Sequence, residues 1–359
     1  MTTPRSDGAR PRFAAPLLTL ALATAAGFAA AVVKLPLPWM IGPLFAVAAL
    51  RLAGLELVAP RPARHAGQWV IGTTLGLSFT APVVAQLSLN APLIAAIAFS
   101  AVPVGMLCAL LLRRLTGVDA ATAFFCALPG GASEMATLAE RRGASAERVA
   151  TAHALRMMLV VAVVPFVIVQ AGAHGSDQWT PAAAKVEWMH LPLLLATSLA
   201  GVAALRLARL PNAWILGALG GVAVASALAL PLSALPRWLV NAGQLLIGVS
   251  LATRFSPEFV RSAPRFILAA TASTGLCMTT LAILAGVLSW ALQVPLATVV
   301  LAAAPGGVTE MSITAQVLHL GVPLVTAAHV LRVIVLSLSA PAACRVFERW
   351  ATRRASAER

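Results

Sequence analysis

The chain has 359 residues, 60% of them hydrophobic and 11% charged, with a mean hydropathy of +0.88. Soluble globular chains carry about 25% charged residues, so composition excludes a soluble domain and points to an integral membrane protein. The net charge of +14 comes from basic residues scattered singly and in pairs. That pattern argues against a direct nucleic-acid partner and for cytoplasmic loop charges.

The first predicted element, near 13–33, follows a basic stretch from Arg5 to Arg12 in the manner of a signal peptide. A matching apolar segment, "LPLLLATSLAGVAALRLARL", begins at Leu191, so the first segment reads as a retained span. Five more apolar segments follow, near 38–55, 65–80, 91–112, 120–139 and 149–171. A second set lies near 190–208, 212–230, 239–253, 264–291, 295–318 and 323–344. A full helical span needs about 20 residues, with ~17 tolerated, so the third segment of each set is short. The fifth of each set is broken by Pro-Gly-Gly, which removes a backbone donor and two side chains in mid-helix.

The two sets share their wording. "PWMIGPL" (Pro38 to Leu44) answers "AWILGAL" (Ala213 to Leu219) at a shift of 175. At a shift of 176, "GQWVIGTTL" (Gly67 to Leu75) answers "GQLLIGVSL" (Gly243 to Leu251). The same shift relates "ALPGGASEM" (Ala127 to Met135) to "AAPGGVTEM" (Ala303 to Met311), and "HALR" (His153 to Arg156) to "HVLR" (His329 to Arg332). Four matches within one residue of a common frame read as an internal duplication, with repeats at 1–180 and 181–359.

Basic residues collect on the cytoplasmic side and set the topology. If all six segments of each repeat crossed, nine basic residues would lie outside. If each PGG segment instead enters and leaves on one face, only Lys34, Lys185 and Arg237 remain outside. With Arg156 and Arg332 inside the membrane, 21 of the 26 basic residues are then cytoplasmic. Five crossings per repeat is an odd number, which inverts one repeat relative to the other. The expected fold class is an all-α polytopic membrane protein of two homologous inverted-topology repeats. Each has about five crossings plus one interrupted or re-entrant PGG segment, and both termini are cytoplasmic.

Bare backbone at membrane depth survives only where protein or a wet cavity satisfies it. Pro129, Gly130 and Gly131, like Pro305, Gly306 and Gly307, create such backbone. Ser133 and Glu134, like Thr309 and Glu310, then open a half-helix that the hydroxyls could cap. Helix starts of this kind favour anions, and unwound carbonyls favour cations. The plainer reading is a packing kink. Of twelve acidic residues only Glu134 and Glu310 fall within apolar segments, and Arg156 and Arg332 are the only bases near span centres. A charge at the bilayer centre costs at least ~2.5–3.5 kcal/mol, so these residues are expected to pair, each with a partner from the opposite repeat. Structural salt bridges and proton or cation exchange by a glutamate both remain open. His153 and Arg156, like His329 and Arg332, share a helix face. Gln68 and Gln244 could bond the bare backbone, and each W-x-x-G phrase (Trp39 to Gly42, Trp214 to Gly217) reads as a span start with close packing.

Cys108, Cys126, Cys277 and Cys344 lack C-x-x-C spacing and read as small buried hydrophobes. The six histidines form neither H-x-H nor H-x-x-x-H, so neither a metal site nor a cofactor is expected.

The doubled phrases W-x-x-G, G-Q-x-x-I-G, P-G-G-x-[ST]-E-M and H-x-L-R resemble the AbrB family of membrane proteins, from about Leu17 to Phe347. The resemblance implies a bacterial inner-membrane protein carrying a regulator label, some members being labelled ammonia monooxygenases. It carries over no catalytic residues. The histidine spacing argues against the monooxygenase label, and the short tails leave no soluble domain for direct transcriptional control. The expected function is a non-enzymatic secondary transporter of a small solute, ion- or proton-coupled at the repeat interface. The alternative is a membrane sensor that influences gene expression indirectly. Expected partners are the lipid bilayer and a small molecule or ion, with a second copy of the chain left open.

Overall fold

The computed structural model describes residues 14–172, 185–254 and 263–357. The Arg5–Arg12 stretch, His174, the repeat boundary and Arg261 lie outside the described residues. Within them the chain forms fifteen helices and no strand. The first six predicted segments become α1 (Ala14–Val32), α2 (Pro38–Leu52), α3 (Ala63–Gly76), α5 (Ala91–Thr116), the pair α6 (Ala120–Ala127) and α7 (Ala132–Glu140), and α8 (Ala146–Gln170). The second set becomes α9 (Leu191–Leu207), α10 (Ala213–Ala227), α11 (Arg237–Ala252), α12 (Pro264–Leu292), the pair α13 (Leu296–Ala303) and α14 (Val308–Val317), and α15 (Val322–Ala357).

The structure differs from the sequence reading in two places. The 65–80 segment stops at Gly76, and a further helix, α4 (Ala81–Leu89), leaves at 87° with Pro82 in its first turn, where its missing N–H costs nothing. The last segment does not stop near 344 but continues as one helix to Ala357, through Pro341.

Among the described residues five helices are long and apolar enough to cross a membrane, within Ala15–Val32, Ala91–Thr116, Ala146–Gln170, Pro264–Leu292 and Val322–Ala351, and α3 with α4 adds a sixth if the bent pair counts as one span. The helices α2, α3, α9, α10 and α11 have 14 to 17 residues. At 1.5 Å per residue they reach only about 21–26 Å, short of the ~30 Å hydrocarbon core.

The helices sort into two bundles, and neither bundle is a half of the chain. One joins α1, α2 and α3 to α9, α10 and α11. The other joins α5 through α8 to α12 through α15. Contacts across the two are sparse, chiefly α3 on α14 and α15, and α8 on α2 and α11.

The first bundle is held by glycines at backbone-to-backbone distance. A Cβ on Gly67 would lie 2.7 Å from the Gly243 carbonyl oxygen, where the two G-Q phrases cross. One on Gly72 would lie 2.5 Å from the Ile215 oxygen, and one on Gly248 2.5 Å from the Met40 oxygen. Those contacts are reciprocal, since the second phrase of each half packs on the W-x-x-G phrase of the other. Gly42 meets α1 at Ala26 and Gly217 meets α9 at Gly201 and Val202, which gives the W-x-x-G glycines their close-packing role.

Each PGG break turns its segment into a hairpin. The Ser145 amide donates to Thr122 Oγ1 at 3.0 Å, so the start of α6 sits at the level where α7 turns into α8. From there α6 and α8 run side by side in the same direction, with Phe125 beside His153 and Leu128 beside Arg156. A helix that crossed fully would place Thr122 and Ser145 at opposite ends. In the second hairpin Thr298 lies against Gly321, again at the base. The turn after α7 uses Gly143 at φ 69°, and the matching turn uses His319 at φ 54°, so a histidine there accepts the left-handed conformation that glycine takes without strain.

A cavity between two helix breaks

The chain leaves helical geometry at Leu128 (ψ 127°) and Ala304 (ψ 138°), one residue before each proline. The last carbonyls of α6 and α13 therefore lose their helical donors. Two side chains of the following long helix replace those donors in the same pattern in both hairpins. His153 Nε2–H donates to the Phe125 carbonyl at 2.8 Å, and Arg156 Nη1 donates to the Leu128 carbonyl at 2.9 Å. Arg156 Nη2 donates to the Gly130 carbonyl at 3.3 Å and to His153 Nδ1 at 3.1 Å. In the second hairpin His329 Nε2–H donates to Leu301 at 2.9 Å, and Arg332 donates to Ala304 at 2.6 Å, to Gly306, and to His329 Nδ1 at 2.8 Å. Each imidazole thus gives one proton and accepts another, which fits the neutral Nε2–H tautomer. Both histidines are fully buried and both arginines only 2% exposed.

These bonds correct the expected glutamate–arginine pairing. Among the described residues, the ion pairs are Arg142–Glu348 and His190–Glu187, and neither involves Arg156 or Arg332. The arginines serve bare carbonyls of their own half, because a guanidinium fork matches two carbonyls at the negative end of a helix.

The opposite ends of the breaks are left open. The N-caps of α7 and α14 are Gly131 and Gly307, and neither helix start has a side-chain cap. Ser133 and Thr309 sit inside the first turn, two positions past the cap, which corrects their expected role. Ser133 Oγ instead accepts from Arg64 Nη1 at 3.1 Å.

Both open starts border one cavity of about 80 Å³. Pro129, Gly130 and Gly131 line it from one hairpin, and Gly306, Gly307, Thr309 and Glu310 from the other, with Arg332 behind them. The facing bundle contributes Arg64, Gln68, Asn212 and Ser250, and Arg254 follows at the end of α11. Gln68 therefore lies at the cavity, and Gln244 is buried in α11. A wider vestibule of about 650 Å³ shares Arg64, Gln68, Gly131 and Asn212 with the cavity and carries Ser133, Glu134, Arg141 and Arg209. Trp214 stacks on His65 in the vestibule wall and lies under Arg206, so it is not a lipid-facing anchor.

Of the residues singled out in the sequence, His153, Arg156 and His329 stand behind the loops, and Pro305 faces an apolar groove with Val163 and Met278. The glutamates divide. Glu310 is 9% exposed and lines the cavity, whereas Glu134 lies on the vestibule with Oε2 buried and unpartnered. The sequence reading missed Arg64, Asn212, Ser250 and Arg254. Arg64 carried a signal, since it precedes Gln68 by one helical turn and shares its face.

The site and fold define an all-helical membrane protein with a cavity lying between paired helix breaks. The chain belongs to the family described as "Transition state regulatory protein AbrB", whose family model matches residues 39–348. It is 27% identical over 352 residues to a protein of Escherichia coli (strain K12) named "Putative regulator AbrB", covering 95% of this chain and 98% of that one. It is also 27% identical over 341 residues to "Uncharacterized protein YhjN" of Bacillus subtilis (strain 168), covering 88% and 89%. No solved structure matches the chain.

Proposed function

We propose that the chain is a secondary transporter of a small solute in the bacterial inner membrane, with the cavity between the PGG loops as its site. The observation that carries this reading is convergence. Two interrupted segments, one from each half, meet at one polar cavity between two sparsely connected bundles. Interrupted helices meeting at depth suit ion-coupled carriers, in which one bundle moves against the other around the site. The glycine-locked bundle would be the frame and the hairpin bundle the moving part. The reciprocal contacts of Gly72 and Gly248 support a duplicated chain with inverted halves. The charge rule places Arg141 and Arg209, and with them the vestibule, on the cytoplasmic side. Glu310 is the coupling group, since a buried carboxylate in the cavity alternates between charged and neutral forms as it gains and loses a proton.

The name of the Escherichia coli relative favours a second reading, a membrane sensor that binds a solute without moving it. Flux of labelled small solutes into proteoliposomes, driven by an imposed pH gradient, separates the two. Solute accumulation above protein-free liposomes supports transport, and binding without flux supports the sensor. Neither reading includes a catalytic step or a cofactor.

A further inference from the structure

The cavity's charges are not balanced, and the imbalance has a direction. At each break the negative end of the helix pair is neutralised by a buried guanidinium, whose donors already hold the exposed carbonyls. A cation entering the cavity would find those carbonyls taken. The positive ends, the uncapped starts of α7 and α14, stay open toward the cavity. Arg64 and Arg254 line the same space, and neither forms an ion pair among the described residues. Arg332, 2% exposed and in the lining, keeps its Nε–H without a partner.

One carboxyl group is already there. The Glu310 carboxyl group folds back over the start of its own helix and lies where a side chain on Gly307 would stand. Arg64 and Arg254 are the cations whose fields act on it. A tethered carboxyl group thus lies at the uncapped helix start, in a cavity that two arginines also line.

We propose that the solute is a small carboxylate monoanion that takes the place of the Glu310 carboxylate between Arg64, Arg254 and the start of α14. The proposal deepens the transport reading and rests on its site. Two carboxylates within one small cavity of low dielectric repel strongly, so solute binding favours the protonated form of Glu310, and the anion and a proton bind together. Among the described residues, the buried arginines and histidines behind the loops are hydrogen-bonded, and Glu134, its Oε2 unpartnered, lies on the vestibule. Arg332 and His329 on α15, and Arg156 and His153 on α8, are bonded to the loop carbonyls and to each other. His65 on α3 lies in the vestibule, stacked on Trp214.

The test is binding to the purified full-length protein in detergent, read by calorimetry between pH 5.5 and 8, with acetate, pyruvate, ammonium and tetramethylammonium as probes. Wild-type protein should bind acetate or pyruvate with affinity that rises as pH falls, and neither cation. Glu310→Gln should bind the same anion at pH 8 more tightly than wild type and with a flat pH profile, a gain that misfolding cannot produce. His65→Gln should keep the wild-type slope. Arg254→Gln should weaken binding at least about tenfold, the cost of one charge-assisted contact. Binding of the cations alone, no gain in Glu310→Gln, or no anion binding in either protein would overturn the inference. Anion binding with this profile but without flux in proteoliposomes would uphold the site and sink the transport reading.

Discussion

Arg156 donates to the Leu128 carbonyl at 2.9 Å, and the pair bridges a long helix and the broken helix beside it. The same bridge joins Arg332 to Ala304 at 2.6 Å. The buried charge within each long helix is thus matched to backbone dipoles rather than to a carboxylate.

Arg332→Gln should therefore leave the Ala304 and Gly306 carbonyls and His329 Nδ1 without their donor. Buried unsatisfied groups cost about 1–3 kcal/mol in water-soluble proteins, and intramembrane hydrogen bonds average nearer ~0.6 kcal/mol. A loss of roughly 2 kcal/mol is expected across these three contacts, measured by reversible unfolding in mixed micelles. Adding Glu310→Gln should not restore stability. Full recovery in the double variant would reinstate the glutamate–arginine pair.

The glycine contacts of the first bundle make a sharper contrast. Gly72→Ala and Gly248→Ala each place a methyl 2.5 Å from a carbonyl oxygen of the neighbouring helix. Overpacking of that kind costs about 1–3 kcal/mol. Gly220→Ala and Gly275→Ala meet nothing within 4 Å and should be neutral or slightly stabilising, since alanine is the better helix former. Thermal unfolding of the four variants in one detergent compares them directly.

The two N-cap glycines should also differ. A methyl on Gly131 has its nearest neighbour at 3.6 Å and fits, whereas one on Gly307 collides with the Glu310 carboxylate. The end of a glutamate side chain moves easily, so Gly307→Ala should keep its fold while displacing the resident carboxyl group. Its acetate affinity at pH 8 should change, and that of Gly131→Ala should stay at the wild-type value.

The charge asymmetry predicts which face carries the vestibule. In a cysteine-free background, a single cysteine at position 141 should be labelled only from the cytoplasmic side, and one at position 185 only from the periplasm. Labelling of position 141 from the periplasm would reverse the assigned direction of access.

Much of this was legible in the sequence because helix breaks announce themselves. Pro-Gly-Gly inside an apolar run marked both hairpins, and the 176-residue shift related one break to the other and one H-x-L-R phrase to the other. The partner of each arginine was not legible. A sequence displays side-chain charges, so Glu134 and Glu310 were the visible candidates, whereas the competing acceptors are main-chain carbonyls exposed only by the break itself. Arg64 and Arg254 were missed because they lie at segment ends, where the charge rule explains an arginine without a site. Only the packing of the two bundles turns them toward the loops. The interleaving of the halves was equally hidden, since glycine spacing reports close approach but not the partner helix. Helix α4 follows a segment that had already been counted as complete.

The central claim is that the cavity carries a small anion together with a proton accepted by Glu310. The most direct measurement is acetate or pyruvate movement in proteoliposomes, comparing wild type with Glu310→Gln in two modes. Under a pH gradient, acid outside, wild type should accumulate the labelled anion above protein-free liposomes and Glu310→Gln should not. With equal pH and unlabelled anion inside, both should exchange it. Accumulation by Glu310→Gln equal to wild type would contradict the account.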